Sequence, residues 1–396
     1  MLKRTVTAAV ISSVVLAACG GSDDNGTSSA VKPQLFAQTN DAANAVLHFT
    51  RNPDGTLSPG STVPTGGKGT AGVTFATGGT VGPDSLTSDN SVVVSADGSR
   101  LFVTNAGDST VSVFSIDKNG GNPTLLATSS TGGFLPTSLA FANGVLYVTH
   151  QQGTQQLGAY RVGPDGKLSQ IGRYITVQPN ALPTQVAVSP DSKFVVVDVR
   201  SLAAGATAAP NNTLIAYPIN VDGTLGAAVS SPTAGRGPFA ARFGSGALSR
   251  AIISAETVSN SVASYQLGDT GALSVISGPL VVPGNGAPCW LSLTPDNRFA
   301  YVGNGSGTIS SYSIDAAGHL TLLNGSAASE PPVTPGITSL AEDSWVSPDS
   351  KFLYEDFPGD DKVVVYSIGT NGALTKIGEQ PANTASRISL QGLAGT

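Results

Sequence analysis

Ser91-Val92-Val93-Val94-Ser95-Ala96-Asp97-Gly98, followed by Leu101-Phe102-Val103-Thr104-Asn105 and then Thr110-Val111-Ser112-Val113-Phe114-Ser115-Ile116-Asp117, is the stretch that decides the fold. Each phrase is a run of β-branched and aromatic residues closed by Gly, Asp or Asn, the pattern of a short strand ending in a turn. A second copy keeps the same internal distances: Leu291-Ser292-Leu293-Thr294-Pro295-Asp296, then Ala300-Tyr301-Val302-Gly303-Asn304, then Thr308 to Ile314. About seven such copies, recurring every ~45 to 55 residues with several strands each, predict the blades of a propeller. A fourth strand per copy follows an Asp-Gly or Asn-Gly turn, as at Leu125-Leu126-Ala127-Thr128, Leu168-Ser169-Gln170-Ile171 and Leu320-Thr321-Leu322-Leu323. The expected fold is all-β, a seven-bladed β-propeller with four antiparallel strands per blade.

The two ends of the repeat array complement each other. The first copy opens at Gln34-Leu35-Phe36-Ala37-Gln38-Thr39-Asn40 with a second-strand phrase and no innermost strand before it. The last residues, Arg387 to Ala394, read as an innermost strand with no blade after it. The C-terminus is therefore expected to complete the first blade and close the ring, leaving no blade-to-blade edge exposed. Two segments break the rhythm, Pro59 to Ser88 and Ser201 to Asn212; long loops of this kind serve as lids or as decoration.

Composition narrows the function classes. Of 396 residues, 12% are charged and 40% hydrophobic, too many apolar residues for a disordered chain. A formal net charge of -6 lacks the basic face that a nucleic-acid partner requires. The N-terminus carries Lys3 and Arg4, an apolar stretch from Val6 to Val15, and then Leu16-Ala17-Ala18-Cys19, which resembles the lipobox of bacterial lipoproteins. That resemblance implies a signal peptide over 1–19, a lipidated Cys19 and, because Gly20 rather than Asp follows it, anchorage in the outer membrane. Residues 20–33 form a Gly/Ser/Asp-rich tether, and the propeller occupies 34–396. With Cys19 lipidated, Cys289 stands alone and no intrachain disulfide is available.

The Ser-Pro-Asp turn, the Tyr-Val-Thr-Asn and Val-Ser-Val-Tyr type phrases and the closing strand resemble the seven-bladed lactonase-type propellers, which include 6-phosphogluconolactonase and the carboxymuconate-lactonizing enzymes. The resemblance spans roughly residues 34 to 394. It implies a site at one end of the channel, with a histidine and an arginine at the start of two neighbouring innermost strands and a glutamate after the second strand of the arginine's blade. In this chain the histidine position falls on Thr184 and the arginine position on Phe239, while Glu256 matches the glutamate. Strand counting from Tyr265 alternatively places Glu256 on the asparagine column. Glu256 is thus the expected catalytic residue, without the charge pair that would polarise a lactone carbonyl.

Second-strand ends and first-strand starts meet on one face, so their side chains are expected to rim the channel. His150, Arg200, Glu342, Asp343 and Arg387 are the expected substrate-binding groups, with Cys289 and Trp290 beside them as either site or core residues. His48, His150 and His319 lack metal-ligand spacing, and the turn aspartates lack a calcium loop, so neither a metal nor a cofactor is expected. The expected protein is a monomeric, lactonase-like envelope lipoprotein that hydrolyses a sugar or related lactone, touching the membrane through its lipid alone. The alternative is a non-enzymatic propeller that binds a polysaccharide, a peptide or an envelope protein.

Overall fold

A computed structural model describes residues 31–176, 181–202, 212–282, 284 and 286–396. The leader with Cys19, most of the tether and most of the 201–212 interruption lie outside the described residues.

Seven four-stranded antiparallel sheets are arranged as a ring. Blade 1 joins the chain ends: Gln34–Gln38, Ala45–Arg51 and Leu57–Pro64 follow in order, and Gln391–Gly395 pairs with Gln34–Gln38 on the inner side. The first strands of blades 2 to 7 are Val92–Val94, Phe134–Ala142, Ala181–Val188, Pro238–Phe243, Pro288–Leu293 and Ser344–Val346. Each contacts the first strand of the next blade, and the closing strand contacts those of blades 7 and 2. The expected seven-bladed ring and its C-terminal closure are both present. The closing strand starts at Gln391, so Arg387 belongs to the turn that leads into it.

The repeated turn residues act through hydrogen bonds. Ser189 donates to Asp191 at 2.7 Å, and its Oγ accepts the Phe194 N–H at 3.0 Å, fixing the start of the second strand. Ser347 and Asp349 repeat this arrangement in blade 7, and Ser95 and Asp97 in blade 2. Such Asx-type bonding gives the aspartate of these turns a structural role.

The tyrosine of the second strand joins one blade to the next. Tyr147 donates to the carbonyl of Gly223, Tyr301 to that of Gly372 and Tyr354 to that of Gly55, at 3.0, 3.0 and 2.7 Å. Each acceptor is a positive-φ glycine in the turn before the outer strand of the following blade. Between the sheets the core is apolar: Tyr301 and Phe299 of blade 6 pack with Leu353, Val364 and Tyr366 of blade 7. Each such fully buried side chain contributes about 1.5–3 kcal/mol, so packing between blades is a large part of what holds the ring together.

Candidate functional site

The segment that leaves the outer strand of blade 1 does not stay on the surface. After a small hairpin, Val73–Thr74 with Thr80–Val81, it turns into the ring, and Ser85, Leu86, Thr87, Ser88 and Asp89 are all buried. Its path is fixed from several blades. Gln151 of blade 3 donates to the Leu86 carbonyl, and the Ser88 hydroxyl donates to the Thr137 carbonyl at 2.9 Å. Trp290 of blade 6 gives its indole N–H to the Ser88 carbonyl at 2.9 Å, and the Asp89 N–H bonds the Thr184 carbonyl of blade 4 at 3.0 Å. Asp89 pairs with Arg242 of blade 5 at 2.8 Å. Asn40 holds the root of the segment, donating to Thr70 and Ser85. This segment crosses the channel as a plug. At the opposite end, Asn90, Val94, Arg242, Ser292 and Ser344 help line a cavity of about 310 Å³.

At the mouth, on the solvent side of the plug, stand Asp84 and Arg200, both half-buried. Arg200 lies near the end of the second strand of blade 4, Phe194–Leu202, and lays its guanidinium 5.5 Å from the ring centroid of Phe239. Burial pushes the Asp84 carboxyl up to about 7, with the charge of Arg200 opposing the shift. One oxygen of that carboxyl is shielded from solvent without a hydrogen-bond partner. Cys289 lies near both groups but is buried, its thiol pushed up to about 12 by burial and then by the Asp84 charge. It serves as a small core residue in contact with Thr257.

Beneath Asp84 the channel wall is acidic. The Glu342 N–H bonds the Asp356 carbonyl and the Asp356 N–H bonds the Asp343 carbonyl, each at 3.0 Å, so these residues extend the ladder between the first two strands of blade 7. The carboxyl oxygens of Glu342, Asp343 and Asp356 lie within 4.8 Å of one another, all buried. Asp343 accepts the Gly392 N–H at 2.8 Å and shares a hydrogen bond with Asp89. Burial raises all three carboxyls well above the usual range, and neighbouring carboxylates add to it: Asp84 first for Glu342, Asp89 for Asp343 and Asp343 for Asp356. An oxygen-only donor set of this kind suits a hard cation.

The expected site residues are thus only partly assembled. Arg200 stands at the channel mouth, while Glu342 and Asp343 are buried together with Asp356 in the wall beneath it. Glu256 is fully buried; its carboxyl accepts from the Tyr265 hydroxyl, from Ser261 at 3.0 Å and from the backbone at Gly235. It pairs with Ser261 as Asn105 pairs with Thr110, which puts it on the asparagine column. His150 is buried with neither ring nitrogen bonded, and burial, then the Arg173 charge, push it down to about 3, so it is a neutral imidazole. Arg387 is 70% exposed and pairs with Asp361 at 3.4 Å. Trp290 is buried, edge-on to Phe239, and supports the plug rather than offering a stacking face.

Sequence reasoning missed Asp84, which sits in the long segment read as a lid or decoration, and Asp89, which directly follows it. It also missed Asp198, buried with neither carboxyl oxygen bonded. A signal for Asp198 was present: a lone carboxylate in the run Phe194-Val195-Val196-Val197-Asp198-Val199 breaks a strand that reads as buried on both faces.

The family model described as lactonase, seven-bladed β-propeller, matches residues 38–182 and 250–344, more than half of the chain. Among solved structures, the chain is similar to a putative 6-phosphogluconolactonase of Bacteroides fragilis at 18% identity and TM-score 0.64, over 94% of this chain and 100% of that one. It is also similar to the periplasmic gluconolactonase of Pseudomonas aeruginosa at 16% identity and TM-score 0.70, over 92% and 99%. A Lactobacillus plantarum protein aligns at 19% identity and TM-score 0.68, over 92% and 99%. At such identities the likeness is one of fold. No curated protein matches the chain by sequence.

Proposed function

Because the chain belongs to the seven-bladed β-propeller lactonase family, we propose that it hydrolyses a sugar lactone or a related lactone, as a lipid-anchored protein of the bacterial envelope. One observation carries this reading: the guanidinium of Arg200 lies over Phe239, the residue at the family's arginine position, with the Asp84 carboxyl beside it. The cation that the first strand of blade 5 lacks is supplied from the second strand of blade 4.

In this mechanism the lactone carbonyl sits against Arg200, and Asp84, ionised, accepts a proton from the attacking water. The oxygen adds to the carbonyl carbon, and Arg200 stabilises the oxyanion of the tetrahedral intermediate. Collapse breaks the ring C–O bond; the proton held by Asp84 passes to the leaving alkoxide, and the product is a hydroxy acid. A carboxyl titrating near 7 suits both transfers. The leader argues for export, and an exported enzyme meets unphosphorylated lactones; the Pseudomonas protein, named a periplasmic gluconolactonase, supports the same compartment.

The test is hydrolysis of sugar and aromatic lactones by the full chain beside Asp84→Asn. The expected result is turnover that rises with pH through about 7 and falls by roughly 10²-fold or more in Asp84→Asn. Turnover untouched by that substitution sinks the mechanism. A second reading, a propeller that binds an envelope polymer or protein without catalysis, is favoured by the plug of Ser85–Asp89 across the channel. It is the reading that remains if no lactone is turned over.

A further inference from the structure

Asp356 and Glu342 hold unused oxygens in the channel wall, and Gln391 is bonded to the same group. Both oxygens of Asp356 are buried without a hydrogen-bond partner, as is Oε1 of Glu342. Gln391, on the closing strand, is itself fully buried and donates its amide N–H to Glu342 Oε2 at 2.8 Å, while its own carbonyl oxygen has no donor. A buried amide oxygen without a donor is a cost that folding does not ordinarily accept, and it is independent of the acidic cluster. A cation among the carboxylates would serve the unpaired oxygens of Glu342 and Asp356 together, with the Gln391 amide beside it.

We propose that Glu342, Asp343, Asp356 and Gln391 form a binding site for a hard divalent cation, calcium in the first instance, at the junction of blades 7 and 1. The donor set is entirely oxygen, three carboxylates and an amide, which excludes the imidazole and thiolate preference of zinc or copper. The mutual spread of the carboxyl oxygens, within 4.8 Å, matches ligands placed around one ion at about 2.3–2.6 Å. Calcium is preferred over magnesium because the site is buried, and magnesium keeps several waters that a buried wall does not accommodate. Glu355, the neighbour of Asp356, takes no part: a side chain at Gly303 of blade 6 would meet its carboxyl, so it points to the other face of the strand. The site joins the closing strand to the last blade, so the ion would bridge the two ends of the ring.

The experiment is calorimetric titration of calcium into the full chain after chelator treatment, with thermal melts in calcium and in magnesium. One calcium per chain is expected, with a melting temperature raised by several degrees and a weaker response to magnesium. Asp356→Asn and, separately, Gln391→Met should each weaken calcium binding by about tenfold or more, while Glu379→Gln on the surface should not change it. The two variants act on different strands, so a folding defect in one leaves the other to report. No binding to the wild-type chain at millimolar calcium overturns the proposal, as does binding that both variants leave unchanged. Neither readout depends on lactone turnover.

Discussion

The guanidinium of Arg200 lies 5.5 Å from the ring centroid of Phe239, across the boundary between blades 4 and 5. The aromatic face fixes the direction of the guanidinium without consuming its hydrogen-bond donors, so those donors stay available to an oxyanion. Arg200→Met is expected to lower kcat/KM for the lactone by roughly 10²- to 10³-fold, the loss of one oxyanion donor set. Arg200→Lys keeps the charge but not the planar fork and should fall between. Steady-state kinetics check both, with thermal melts to show that folding is intact. A kcat/KM within about threefold of wild type for Arg200→Met would remove Arg200 from the mechanism.

Asp198 gives a pH signature that does not involve turnover. Burial, and then the charge of Asp89, raise its carboxyl well above the usual range, with Arg242 opposing and Glu256 adding to the rise. The folded chain therefore holds this proton over a range of pH where the unfolded chain releases it. Its contribution to stability is fully present below the ordinary carboxylate range and is lost as pH climbs through the raised value, at up to about 1.4 kcal/mol per pH unit. Melting temperatures should accordingly fall between pH 5 and pH 8, and fall less steeply in Asp198→Asn. Equal slopes for the two proteins would contradict this account.

Closure of the ring rests on few residues. Gln391–Gly395 pairs with Gln34–Gln38, and Arg51 donates to the Thr396 carbonyl at 2.6 Å. Leu390 and Leu393 pack with Leu35 and Ala37 in the apolar layer between blades 1 and 7. Deleting the last ten residues removes the inner strand of blade 1 and exposes that layer, so the melting temperature should drop by roughly 10 °C or more, or the chain should fail to fold. Thermal melts of the truncated chain decide it; an unchanged midpoint would mean that the ring does not depend on this strand.

The fold was legible because most blades repeat variants of the same local chemistry: a strand, a turn such as Ser-Pro-Asp, an aromatic second strand and a glycine turn. Those residues act with neighbours a few positions away or at one fixed point in the next blade, as Tyr354 does with Gly55. The site was less legible. Asp84 reaches the mouth through a long segment without a repeat, and no periodicity states that such a segment enters the channel. Arg200 could be placed on the rim by strand counting, whereas its position over Phe239 depends on how blade 5 meets blade 4. Arg387 was misplaced because the closing strand begins at Gln391, and the apolar-polar alternation upstream of it runs through a turn instead.

Glu256 tests the boundary between scaffold and chemistry. Its carboxyl accepts from Tyr265 and Ser261, and a Cβ at Gly235 would overlap its Oε2 and the hydroxyls of Ser259 and Ser261. The glycine thus permits the backbone of the blade 4 to blade 5 connection to approach the carboxylate. Glu256→Gln should leave kcat/KM within about threefold while lowering the melting temperature, because one or both acceptor bonds become mismatched at a cost of about 1–3 kcal/mol. Gly235→Ala should destabilise in the same way. The two effects should not add: in a Glu256→Ala background the overlap with the carboxylate is gone, and Gly235→Ala should cost less than it does alone. Chemical denaturation of the four proteins measures that coupling. Additive losses, or a kcat/KM that collapses in Glu256→Gln with folding intact, would return Glu256 to the catalytic centre.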